Sequence, residues 1–219
     1  MKKVNPKNHF FWLTAALIGM LLTGAFTKEF PESVAFLILE YSSIALLLLS
    51  LIDLRDDRSG RKGLLILIGF MVLASITRDL TAYQHFNFVY MFLLLTFFLS
   101  AAWLVGKKVL LTGYVDLNII TGSIALYLIL GFIWAILYTF LVQLEPESIR
   151  GLDPENWINV LSTMTYFSFV TLTTLGYGDM SPVTPIAQVL VILEAVTGMF
   201  YFAIVVASLI GSARNKKTS

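Results

Sequence analysis

The chain has 219 residues, 58% hydrophobic and only 13% charged, with a mean hydropathy of +0.82. A soluble domain carries roughly a quarter charged residues, so the composition excludes a soluble globule and points to an all-α integral membrane protein. The net charge is +1, with no basic cluster on a soluble face to bind nucleic acid, and the lack of cysteine excludes disulfides and thiolate metal sites.

Residues 1–8 form a short basic tail with Lys2, Lys3 and Lys7, and His9 follows at the expected interface. The first apolar run, residues 10–27, is long enough to span a bilayer. It is too long for the core of a signal peptide, and Trp12 reads as an interface anchor. A second run covers residues 33–52 and carries Glu40. After a dense charged loop at 53–62 comes a short third run, 63–77. A polar link with Arg78, Asp79 and His85 leads to the fourth run, 86–105, which holds no charge. Residues 106–116 mix Lys107 and Lys108 with Val109, Leu110, Leu111, Tyr114 and Val115, the pattern of an amphipathic segment lying at the interface. The fifth run is residues 117–142. A polar stretch at 143–156, broken by Pro146 and Pro154, separates it from residues 157–172, which are moderately apolar and rich in Ser and Thr. At that length the segment can dip into the membrane without crossing it. The sixth run is 186–211, and a basic tail follows.

With the N-terminus in the cytoplasm, twelve Lys and Arg residues fall inside and three, Lys28, Arg78 and Arg150, fall outside. This obeys the positive-inside rule across every short loop. It requires an even number of crossings, which makes residues 157–172 re-entrant and places both termini in the cytoplasm.

Between the re-entrant segment and the sixth run stands the sequence Thr171-Leu-Thr-Thr-Leu-Gly-Tyr-Gly-Asp179. Glycine reaches backbone conformations barred to residues with a Cβ, so Gly176 and Gly178 allow successive carbonyls to point to one side. The run Thr174-Leu175-Gly176-Tyr177-Gly178 resembles the selectivity filter of the potassium channel superfamily, in its prokaryotic six-transmembrane form. In that family four loops, one per subunit, replace the ion's water shell with backbone carbonyls. The resemblance covers residues 117–219 as a pore domain: an outer helix, a pore helix at 157–172, a filter at 174–178 and an inner helix at 186–211. It implies six transmembrane helices plus the re-entrant pore helix, and a homotetramer in the cell membrane of a prokaryote, among membrane lipids. Potassium would be the permeant ion, bound by Thr174, Leu175, Gly176, Tyr177 and Gly178, with no cofactor and no catalytic residue.

Asp179, Thr173, Glu194 and Tyr166 are expected to support the filter. Some relatives brace the aspartate after the filter with a glutamate and a tryptophan; here Val170 and Phe167 stand in those places. Gly198 matches the family's gating hinge, and close helix packing explains a glycine there equally well. A carboxylate within the membrane, such as Glu194, is a functional candidate. A hydrogen bond to Thr171 or Ser168 of the pore helix is favoured over a proton-sensing role. Glu40 reads similarly, with Arg78 as its partner.

Residues 1–105 resemble a voltage-sensor domain in the number and place of their helices only. Each charge moved through the membrane is worth about 2.3 kcal/mol per 100 mV, and the fourth run supplies none. Steep voltage dependence is therefore not expected. A channel-derived transporter and a non-conducting scaffold or regulatory subunit are the alternatives. The intact Gly-Tyr-Gly-Asp counts against both.

Overall fold

The computed structural model describes residues 10–26, 44, 48, 58–81, 85–111, 116–152 and 157–215. Six helices are present among them: α1 (Phe11–Phe26), α2 (Arg58–Thr81), α3 (His85–Leu111), α4 (Leu117–Leu144), α5 (Trp157–Leu172) and α6 (Pro185–Asn215). Two-residue strands β1 (Ile149–Arg150) and β2 (Ser181–Pro182) pair antiparallel. The second apolar run, residues 33–52, lies outside the described residues except for Ile44 and Leu48, and so does the pairing of Glu40 with Arg78.

Helices α3, α4 and α6 contain stretches long and apolar enough to cross a membrane, while the apolar parts of α1 (11–24) and α2 (62–77) are shorter. Several boundaries differ from the sequence reading: α2 begins at Arg58, inside the charged loop expected at 53–62, and runs past 77 to Thr81. The fourth run was expected to stop at 105, before a separate interfacial segment at 106–116. Instead α3 runs on to Leu111. Lys107 and Lys108 lower the local hydropathy, but lysine is a good helix former and nothing between them and Leu111 breaks a helix.

Helix α4 is the hub. Asp116 caps its start, its carboxylate accepting from the Ile119 amide at 2.8 Å. Helices α1, α3, α5 and α6 all pack against it. The core joins Leu13 and Leu17 of α1, Leu64 and Ile68 of α2, Leu94, Phe98 and Val105 of α3, and Leu126, Ile129 and Phe132 of α4. These recur at three- and four-residue steps, so each helix turns one stripe to its neighbours. The rings of Phe98 and Phe132 stack at 5.3 Å. Hydroxyls within this apolar setting bond back to their own helices: Thr139 to the Ala135 carbonyl at 2.8 Å and Thr165 to the Leu161 carbonyl at 2.7 Å. That satisfies groups for which lipid offers no partner.

Helix α1 and the residue before it are tied to α4 and α5 by polar contacts. The Phe10 amide donates to Asn118 Oδ1 at 3.2 Å, and Ser162 of α5 donates to the Gly24 carbonyl at 2.7 Å.

Candidate functional site

Helix α5 occupies residues 157–172, the bounds expected for the pore helix. It ends where the chain turns: the Thr173 amide donates to the Phe169 carbonyl at 3.1 Å, and the Thr174 amide to the Thr171 carbonyl at 2.8 Å. The Thr173 hydroxyl also returns to the Phe169 carbonyl, at 2.7 Å. The Val170 carbonyl accepts from both Leu175 and Gly176, at 3.0 and 3.2 Å. A helix leaves its last carbonyls unpaired, and here the entering loop takes them up.

The loop then alternates in hand. Thr174, Gly176 and Gly178 have φ of 59°, 55° and 79°, while Leu175 and Tyr177 between them stay negative. A Cβ on Gly176 or Gly178 would meet no atom within 4 Å in this chain. Backbone conformation is what demands glycine there, and crowding is not. Thr174 takes the same conformation despite its branched Cβ, which is a genuine strain for that residue type. Every residue from Thr173 to Asp179 is exposed. Tyr177 lies along a cavity of about 740 Å³ between α1, α3, α4 and α5, together with Leu175, Phe98 and Val170.

After this loop the chain is fixed on both sides. The Tyr166 hydroxyl donates to Asp179 Oδ2 at 2.8 Å. Asp179 therefore has a brace on α5 even with Val170 and Phe167 in the places where relatives carry glutamate and tryptophan. Pairing of Arg150 with Ser181 and of Ile149 with Pro182 then ties the returning strand to the stretch that follows α4. Helix α6 starts with Pro185, a residue suited to a first helical turn, and the Thr184 hydroxyl accepts from the Ala187 amide at 3.4 Å.

Only three residues of α6 with described side chains are buried: Ala187, Glu194 and Gly198. A Cβ on Gly198 would clash with the carbonyl oxygen of Leu172, the last residue of α5. Close packing thus accounts for this glycine, and α6 continues unbroken through it. Gly131 of α4 plays the same part for Phe169, whose ring lies where a Cβ would stand.

Glu194 is fully buried. Its Oε1 lies 2.6 Å from the Ser168 hydroxyl of α5, and its Oε2 accepts from the Tyr138 hydroxyl of α4 at 2.6 Å. Of the two partners expected from sequence, Ser168 makes the contact and Thr171 does not. Tyr138 was missed. It lies 56 residues away, on another helix, and no periodicity in one helix reveals such a pairing.

The geometry is that of two long helices holding a shorter helix and an exposed loop of alternating hand. Residues 120–214 match a family described as "Ion channel". The match takes in somewhat less than half of the 219-residue chain. No curated protein and no solved structure matches the chain. The matched stretch covers most of α4, α5, the loop and nearly all of α6. The spanning helices make the chain a multi-pass membrane protein.

Proposed function

We propose that four copies of this chain surround a common axis and conduct potassium passively and selectively through the backbone carbonyls of Thr174, Leu175, Gly176 and Tyr177. The observation that carries this is the alternation of φ at Thr174, Gly176 and Gly178. A β-strand sends successive carbonyls to opposite sides, whereas a backbone that alternates in hand turns them to one side. Such a row is what a ring of carbonyls needs to replace the ion's water shell.

The exposure of the loop and of α6 supports assembly into a ring. Ile192, Val196, Met199 and Phe200 lie bare in the single chain, and a filter loop with no protein around it is not tolerated at membrane depth. In this reading the chain crosses the prokaryotic cell membrane six times with both termini cytoplasmic, and α1–α3 stand outside the pore. The fourth run has no basic residue between 86 and 105 to move in the field, so opening is not steeply voltage-dependent. Asp179, Thr173, Tyr166 and Glu194 hold the filter in place, and Gly198 lets α6 lie against the end of the pore helix.

The test is flux of potassium and of sodium from liposomes holding the purified protein, beside Gly176→Ala. Potassium flux that exceeds sodium flux and disappears in the variant is the expected result. Equal flux of both ions would end the claim of selectivity. No flux from a protein shown to be tetrameric would favour the scaffold reading.

A further inference from the structure

The contacts around Glu194 require more protons than its hydroxyl partners own. The Ser168 hydroxyl lies 2.8 Å from the Gly131 carbonyl and 2.6 Å from Glu194 Oε1, and the Tyr138 hydroxyl lies 2.6 Å from Oε2. Three oxygen–oxygen contacts of hydrogen-bond length need three protons. A serine and a tyrosine bring one each. Hydroxyls elsewhere in the chain do share one proton between two carbonyls: Thr14 at 2.8 and 3.1 Å, Thr77 at 2.9 and 3.0 Å. At Ser168 the pair is tighter, and 2.6 Å is too short for the weak arm of a shared bond.

We infer that the third proton belongs to Glu194, which sits in the folded channel as a neutral carboxylic acid. It donates to Ser168, Ser168 passes its own proton to the Gly131 carbonyl, and Tyr138 donates to the remaining carboxyl oxygen. The chain of bonds is then complete, with every donor and acceptor used. The surroundings agree. No cationic side chain faces Glu194 among the described residues, and only Ser168 and Tyr138 hydrogen-bond to it. The groups facing it from α4 are Tyr138 and Tyr127, with Tyr127 in ring contact with Tyr201 of α6, and α5 contributes no charged group. A lone carboxylate charge in this position would be uncompensated.

The neutral acid joins three helices at one point, four residues before Gly198 meets the end of the pore helix. Glu194 acts as a positioning residue, locking the inner helix to the helix that carries the filter. Its lock carries a built-in sensitivity: removal of the proton in alkali leaves Ser168 with one proton for two acceptors and sets two oxygens against each other. The inference holds whichever ion the pore passes.

Infrared spectroscopy of the full-length protein in liposomes, read as the difference between wild type and Glu194→Gln at neutral pH, tests it. The expected spectrum has the carbonyl stretch of a protonated carboxyl in the wild type only; a carboxylate band lost in the variant in its place would overturn the inference. Glutamine is neutral and can donate to Ser168 while accepting from Tyr138. Glu194→Gln should therefore keep flux within about twofold of wild type, whereas Glu194→Ala should lower flux about tenfold or more. A Gln variant that folds and assembles but conducts as poorly as the Ala variant would show that the charge is needed and would sink the proposal. Should no variant conduct, the infrared band alone decides.

Discussion

Helices α4 and α6 are both apolar enough to span a membrane over 28 and 21 residues, yet 67% of the α4 stretch is buried within the chain and 11% of the α6 stretch. Composition cannot separate them. What separates them is how each makes contact. Helix α4 presents large side chains on several faces and is packed by α1, α3, α5 and α6. Helix α6 touches the rest of the chain along a narrow stripe, where Gly198 removes a side chain and Glu194 takes part in two hydrogen bonds. A helix fixed by shape and hydrogen bonds keeps its remaining surface for other partners, while a helix packed all round does not.

The comparison can be broken by substitutions of decreasing effect, with Gly69→Ala as a neutral control among them. Phe132→Ala, in the stack against Phe98, should cost about 3 kcal/mol through the cavity it leaves, seen as a large fall in thermal stability with α4 loosened from α3. Gly198→Ala should cost about 1–3 kcal/mol by overpacking against the Leu172 carbonyl. Gly69→Ala on α2, where a Cβ meets nothing within 4 Å, should be neutral or slightly stabilising in the same thermal assay. A Gly198→Ala protein with altered opening but unchanged thermal stability would favour a hinge over packing. Tyr138→Phe should cost on the order of 1 kcal/mol by leaving one carboxyl oxygen of Glu194 without a donor. Tyr166→Phe, at an exposed position, should have the smallest effect, read as a faster decline of flux during sustained conduction rather than as unfolding.

The sequence revealed elements whose signals are local. Helix α5 ends at Leu172 because the turn at Thr173–Thr174 and the loop glycines begin there, and both are visible in the chain. The inner helix, expected at 186–211, starts one residue earlier and runs four residues further, because the tail beyond Gly211 is polar without containing a helix breaker. The fourth run was cut short for the same reason. A fall in hydropathy marks where a helix leaves the apolar zone, and the helix itself can continue. What could not be read were pairings across distance. Glu194 with Ser168 was within reach because the pore helix is the nearest source of hydroxyls, but Tyr138 is one tyrosine in an apolar run with nothing nearby to mark it. Tyr166 and Asp179 were each legible as supports of the loop, but their pairing at 2.8 Å was not, because nothing in the sequence says which side chain the tyrosine hydroxyl reaches.

The central claim is that the loop from Thr174 to Gly178 passes potassium and refuses sodium. Its most direct test is the reversal potential of purified channels in a planar bilayer with potassium on one side and sodium on the other. The account predicts a reversal far from zero, on the side set by potassium permeation. A reversal at zero with a clear current would contradict it.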